Sequence, residues 1–406
     1  MNIDTDRVIA GLRDLNCFGT DGRGMWRTAY SKADMDCRAW LAAQFAELGL
    51  VVTLDGAGNL FGRNPDHARA ILLGSHSDSV PNGGRLDGAL GVIYALETAR
   101  ALKDHGGSIG IDVVSFGDEE GAFLGCLGSA SFAGRLSEAD LDAASSRDGV
   151  PFREASTAAG LAGRPRERLD PARTVAYLEA HIEQGPRLDA AGIDIGIVEG
   201  IVGLRRQVVQ LAGRADHAGT TPMDMRRDAA KAMFAFATAV LDMLPKLASP
   251  RSVWNIGIVK VRPGAGNIVP SGAEIMIEYR DTEVAVLDRM TDAILNLVAA
   301  KNGVDDVGIT SAPAGVLEPA TMDRRIADTI AAAAAALGAS VMRMPSGAGH
   351  DAMNLATDVP TAMLFVPSIG GRSHDPAEDT RDEDIRRGAR IYCETAARLL
   401  AGMSNT

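Results

Sequence analysis

The sequence predicts an α/β fold: a mixed, mostly parallel sheet flanked by helices, with a smaller α+β domain inserted. Three observations carry this. Apolar runs bounded by Gly and polar residues, Ala70–Leu73 and Ile109–Phe116, alternate with helix-length segments, as βα units do. Histidine and acidic residues fall just after those runs, where open α/β sheets keep their sites. The order of elements after about residue 200 reads β-α-β-β-α-β, the ferredoxin-like split unit.

In order, residues 3–15 and 33–48 show helical periodicity, the second with Trp40, Leu41, Phe45 and Leu48 on one side. Strands are expected at 51–54 and 59–61 around the turn Asp55-Gly56-Ala57-Gly58, and again at 70–74. A helix from about 89 to 104 should stop at Gly106-Gly107, before the strand ending at Phe116. Residues 135–172 are rich in Ala, Ser, Arg and Asp and read as surface helices and loops. The inserted domain has expected strands at 204–211, 252–261, 272–280 and 306–311, with helices from Asp224 to Leu247 and at 283–301. An Ala-rich helix (325–337), a short strand, the strand Thr361–Val366 and a last helix (380–401) complete the chain. The domains are therefore expected at 1–206 and 319–406, with 207–318 inserted.

With 406 residues the chain exceeds one ordinary core. Hydrophobic residues at 46% and charged residues at 23% give a globular profile. Neither an apolar run long enough for a membrane nor a signal-like N-terminus is present, so the expected location is cytoplasmic. A formal charge of −12 argues against nucleic acid or an anionic membrane as partner. Cys17, Cys37, Cys126 and Cys393 lie far apart without a CxxC pair, so buried thiols are expected rather than disulfides or a thiolate metal site.

Histidine is more telling. Of seven, His76, His181, His217, His350 and His374 sit among Gly or carboxylate residues, whereas His67 and His105 look like loop residues. In Gly74–Gly91 (GSHSDSVPNGGRLDGALG), His76 ends a strand and Asp78 shares its face, placed to hold the imidazole's second nitrogen. Asp87 follows, beside Gly88, which allows close approach to an ion. After the next strand, Glu119 and Glu120 can divide the work of proton acceptor and metal ligand.

The motifs GSHSDSVPNGGRLDGALGV, FGDEEG, HIEQGP, GRADHAGTTPM, GAGNIVP, SGAGHDA and GRSHDPAED occur in one order along nearly the whole chain. In this the sequence resembles the hydantoinase/carbamoylase family of the dinuclear-zinc aminoacylase and carboxypeptidase clan. The resemblance implies a zinc-exopeptidase-like catalytic domain, a lid and dimerisation role for the insert, and a homodimer formed through it. It implies two divalent ions held by His76, Asp87, Glu120, His181 and His374, with Asp87 bridging, and Glu119 as general base. It further implies that His217 steadies the oxyanion or the substrate carbonyl. Gln184, His217, Asn267, Arg280 and the Gly349 backbone match the substrate-binding set. Nitrogen and oxygen ligands suit Zn, Mn, Co or Ni alike. Arg280 suits a substrate carboxylate, which its planar fork can grip by both oxygens.

The implied reaction is hydrolysis of the carbamoyl C–N bond of an N-carbamoyl-L-amino acid to amino acid, ammonia and CO2. Allantoate or another ureido acid, and N-acyl-L-amino acids, are the alternative substrates. His181 within HIEQGP points to the carbamoylase branch, because the peptidase branches are expected to carry a carboxylate there. Two departures bear on the substrate: GAFLGCLGS follows Glu120 where an Arg-Phe pair and a longer loop are expected, and Leu86 replaces a common aromatic. Rival readings fail. Gly106–Gly110 matches GxSxG but has the helix before it and the strand after it, the reverse of a nucleophile elbow. A GxGxxG strand-to-helix turn is missing, and a dead homologue should have lost a ligand or the base.

Overall fold

The computed structural model describes residues 3–103 and 108–403. His105 and the expected stop at Gly106-Gly107 lie outside them. The chain divides into two compact units, one running to Glu199 and resuming at Thr321, the other Gly200–Ala320.

Among the described residues of the first unit, nine strands form one sheet: β1 (Val51–Leu54), β2 (Leu60–Arg63), β3 (Ala70–His76), β4 (Gly110–Phe116), β5 (Thr174–Ile182), β6 (Ile195–Ile201), and, after the second unit, β11 (Ala320–Thr321), β12 (Val341–Ser346) and β13 (Thr361–Val366). Their order is β1-β2-β4-β3-β5-β13-β6-β11, with β12 paired to β6. The central four, β4, β3, β5 and β13, are parallel, and antiparallel strands flank them. β3, β4 and β13 are buried at every residue, as continuous apolar runs covered on both faces should be. The helix Ala89–Ala101 is buried on every side at all eleven residues from Ala89 to Ala99, and the helix Asp382–Met403 packs beside it.

The helix Lys32–Glu47 departs from expectation. Its inner face carries Asp34, Cys37, Arg38, Leu41 and Phe45, and Trp40 is only half-buried. Arg38 Nε meets Asp34 Oδ1 at 2.9 Å, and its two Nη groups donate to the carbonyls of Ser115 and Phe116 at 3.1 and 3.0 Å. A charge buried this way is tolerated because it is paired and its Nη donors are used. The arginine thereby ties this helix to the C-terminal end of β4.

The second unit contains β7 (Gly203–Ala212), β8 (Val253–Arg262), β9 (Gly272–Asp281) and β10 (Gly308–Leu317) in the antiparallel order β10-β7-β9-β8. With two helices, Ala229–Met243 and Val284–Lys301, this is the ferredoxin-like arrangement. β9 alternates strictly, so Ala273, Ile275, Ile277 and Tyr279 face Met233, Phe236, Met290 and Ile294 of the helices. Full burial contributes about 1.5–3 kcal/mol for each large side chain. The opposite face shows Glu274, Met276, Glu278 and Arg280.

The single helix expected from Asp224 to Leu247 is broken. A 3-10 turn at Met223–Met225 is followed by Asp228, whose carboxylate caps Ala230 and Lys231 and starts a new helix. Pro245, in a final 3-10 turn, ends it. β10 runs to Leu317, further than expected, and β6 had no counterpart in the sequence reading. The cysteines divide: Cys37 and Cys393 are buried, Cys126 is partly exposed, and Cys17 is exposed, because it follows the helix Thr5–Leu15 on its outer side. No described helix is long and apolar enough to cross a membrane.

Candidate active site

The C-terminal ends of the parallel strands bring eight expected residues together. β3 delivers His76, the turn after β4 delivers Glu119 and Glu120, and β5 carries His181. Asp87 immediately precedes the helix Ala89–Ala101, whose N-terminus favours a carboxylate. Gly88 (φ 64°) makes the turn, and a Cβ there would lie 2.4 Å from the His76 ring, so only glycine fits. His374 and Gln184 come from loops, both with φ near 56°.

The two oxygens of Asp87 serve different neighbours. Oδ1 lies 3.0 Å from His181 Nε2 and 3.5 Å from His76 Nε2. Oδ2 lies 3.4 Å from His374 Nε2, which is itself 3.4 Å from Glu120 Oε2. Among the described residues, two groups could therefore each hold an ion, His76–Asp87–His181 and Asp87–Glu120–His374, with Asp87 common to both. The donor set fits a divalent metal. Buried His76 Nε2 and Glu120 Oε1 have no hydrogen-bond partner, although buried polar atoms nearly always have one.

The electrostatics say the same. Burial and the charge of Asp87 push Glu120 up to about 8, and burial raises Glu119 well above the carboxylate range. Burial works against a charged His76, but Glu119, Asp78 and Asp87 outweigh it and raise it well above its usual value. His374 is raised to about 9, chiefly by its bond to Asp87. A site whose paired glutamates seek protons while its imidazoles stay charged is short of positive charge, which bound cations supply.

Asp78 sits where expected but does something else. His76 Nδ1 lies 3.1 Å from the Asp78 carbonyl oxygen, whereas the carboxylate is 3.6 Å away, beyond a hydrogen bond. That carboxylate instead accepts the backbone N–H of Glu119 (3.4 Å) and Glu120 (3.2 Å), fixing the acidic pair. Gln184 is likewise engaged within the cluster: its Nε2 donates to Asp87 Oδ2 at 2.8 Å and to Ser373 Oγ at 3.0 Å. Gly349 precedes His350, whose buried ring meets His181 edge-on with centroids 4.5 Å apart.

Sequence reasoning passed over Glu378, Ser373 and Cys126. Glu378 Oε1 accepts the N–H groups of Leu86 and Asp87 (3.0 and 3.1 Å), and Oε2 accepts from Ser373 Oγ at 3.0 Å. It holds the Asp87 turn from nearly 300 residues away, and only its place in GRSHDPAED could have flagged it. Cys126 Sγ stands 3.6 Å from Glu119 Oε1, in the short loop that departs from expectation.

The remaining residues lie in the second unit. His217 and Asn267 occupy paired loops: Ala218 N–H donates to the Asn267 carbonyl at 3.0 Å, and His217 bridges Ile268. His217 Nδ1 accepts the N–H of Gly219 (3.0 Å) and Thr220 (3.2 Å), so a neutral ring carries its proton on Nε2 and offers it as a donor. Arg280 is at the other end of β9, paired with Leu204 and Val253, while Gly272 pairs with Ala212 on the His217 side. Eight residues of strand separate Gly272 from Arg280, roughly 27 Å.

A parallel sheet whose strand ends carry a carboxylate shared by two imidazole-bearing groups defines the class of metal-dependent α/β hydrolases. Residues 72–398 match peptidase family M20/M25/M40. The chain is similar to an N-carbamoyl-L-amino-acid amidohydrolase of Paenarthrobacter aurescens, 36% identical over 95% of this chain and 96% of that one. An allantoate amidohydrolase of Escherichia coli is 35% identical over 93% of each. The solved structure of an amidase of the hydantoinase/carbamoylase family from Burkholderia phymatum superposes with a TM-score of 0.91, at 41% identity and 99% coverage of both chains. This chain belongs to peptidase family M20/M25/M40, among its hydantoinase/carbamoylase amidases.

Proposed function

We propose that the protein hydrolyses the carbamoyl C–N bond of an N-carbamoyl-L-amino acid, giving the amino acid, ammonia and CO2. The observation that carries this is the division of Asp87 between the His76/His181 pair and the Glu120/His374 pair. It supports two divalent ions, each of Zn, Mn, Co or Ni being compatible with the ligands. When bound, such ions would polarise the scissile carbonyl and acidify the attacking water. Glu119 takes the proton of the attacking water and passes it to the leaving nitrogen, the chemistry of a positioned carboxylate. His217 donates Nε2–H to the carbonyl oxygen as negative charge develops there. Arg280 grips the substrate carboxylate, and Asn267 and the Gly349 backbone complete the pocket, while Gln184 and Asp78 hold the cluster itself.

The inserted domain, residues 207–318, is read as lid and dimerisation domain. His217 and Arg280 lie farther apart on one unit than a small substrate can reach, which supports a homodimer in which His217 serves its partner's site. Exposed Phe234 and Leu241 on one helix and the exposed edge strand β8 supply apolar surface for that contact. The substrate is a small carboxylate, with neither nucleic acid nor membrane as partner, and the location is the cytoplasm. Allantoate is the second reading, favoured by the likeness to the Escherichia coli allantoate amidohydrolase.

The test is ammonia release after chelator treatment and restoration of Mn, Zn, Co or Ni. The substrates are N-carbamoyl-L-amino acids, their D-forms, allantoate and N-acyl-L-amino acids. Metal-dependent ammonia with equal amino acid from a carbamoyl-L-amino acid is the expected result. Turnover of allantoate alone moves the assignment, and amino acid from N-acyl substrates without ammonia overturns it.

A further inference from the structure

The face of the second sheet turned away from its helices carries a charge triad in which Arg280 is joined by two residues that the proposed reaction does not yet use. Arg206 on β7 and Glu278 on β9 are register partners, and Arg280 is two residues along β9 on the same face. Arg206 Nε donates to Glu278 Oε2 at 2.6 Å. Arg280 contacts the other oxygen, Oε1, with Nε at 2.9 Å and Nη2 at 2.8 Å. One carboxylate thus lies between two guanidiniums from neighbouring strands. Burial alone would raise Glu278, but its bonds to Arg206 and Arg280 outweigh it and hold it below the usual carboxylate range.

Glu278 has two opposing consequences for Arg280. It fixes the guanidinium in one orientation, which a substrate carboxylate needs for a paired contact. It also brings a negative charge to within hydrogen-bonding distance, which alone would cancel the attraction Arg280 exerts on an anion. Arg206 removes the conflict, because it neutralises Glu278 from the other side and leaves the triad with one net positive charge. We infer that Arg206 is a specificity-determining residue of the substrate-carboxylate subsite, acting through Glu278 on Arg280 without touching the substrate itself. The triad then selects substrates with an anionic carboxylate and discriminates against their neutral amide analogues. This inference rests on the reading of Arg280 as the carboxylate-binding residue.

The test is a charge-neutralisation cycle on the metal-loaded enzyme, with KM and kcat measured on N-carbamoyl-L-alanine, or on allantoate if that is the substrate hydrolysed. Arg206→Gln leaves Glu278 to oppose Arg280, so KM should rise about fivefold, the scale of one charge acting through a partly screened site, with kcat within twofold. Adding Glu278→Gln removes the unopposed charge and should return KM most of the way to the wild-type value. A purely structural role predicts the opposite, two defects that add. An unchanged KM in Arg206→Gln, or a double variant worse than the single one, overturns the inference. Arg280→Ala is the control: if it raises KM while Arg206→Gln does not, only the triad fails. If Arg280→Ala also leaves KM unchanged, the carboxylate-binding reading of Arg280 fails with it.

Discussion

The Asp78 carboxylate accepts the backbone N–H of Glu120 at 3.2 Å. The aspartate therefore acts on the acidic turn across the sheet as well as on the histidine two residues before it. Asp78→Ala removes the acceptor that fixes both glutamate peptides and leaves two part-buried N–H groups unpaired. Loss of a residue that orients metal ligands typically costs 10–100-fold in metal affinity or activity. The expected outcome is a drop of about that size in kcat together with weaker metal retention, measured by turnover and by metal content after dialysis. Wild-type metal content with reduced kcat would confine its action to Glu119.

Glu119→Gln is nearly isosteric and keeps the Asp78 contact, which is made to the backbone. Fold and metal content should be retained while kcat falls by about 100-fold or more, the scale of a lost general base. A variant turning over at the wild-type rate would remove the base assignment and leave the ligand set intact.

Much of this centre was legible in the chain because its chemistry needs particular residue types at strand ends. His76, Asp87, Glu120, His181 and His374 were recognisable from their motifs, and the structure brings all five together. What supports them was not legible. Glu378 reaches the Asp87 turn from the far end of the chain, and Arg38 looks like a surface residue of an amphipathic helix until its donors are seen on the β4 carbonyls. Local pattern misled where special residues intervene. Asp228 restarts a helix that apolar periodicity ran through, and β6 was hidden by the glycines in Ile195-Gly196-Ile197-Val198-Glu199-Gly200-Ile201. Gln184 was read by resemblance as a substrate contact, and its amide is bonded to Asp87.

The separation of His217 from Arg280 makes a prediction about sharing. Glu119→Gln and His217→Ala should each be inactive alone. If the proposed homodimer shares its sites, co-expression gives mixed dimers in which one site combines an intact Glu119 with the partner's intact His217. Random pairing puts half the dimers in this form, each with one working site, so about a quarter of wild-type activity should return. If His217 serves its own subunit, every site keeps one lesion and mixing restores nothing.

Asp55 allows a stability prediction away from the metal centre. It is buried in the turn between β1 and β2, where its carboxylate accepts from the N–H groups of Ala57, Asn59 and Glu167 and from the Asn59 amide. Burial nevertheless raises it to about 6, because the four bonds only partly offset the lost hydration. The sign follows from proton uptake: between the ordinary aspartate value and about 6, the folded state binds the proton more tightly than the unfolded chain. Stability from this group is therefore greatest at low pH and falls as pH rises through that window. The loss between pH 4 and 7 should be about 2 kcal/mol. Asp55→Asn cannot titrate, so comparing urea midpoints of wild type and variant across this range cancels every other group. The wild type should lose stability relative to the variant as pH rises; a difference independent of pH would mean that the four donors keep Asp55 ionised throughout.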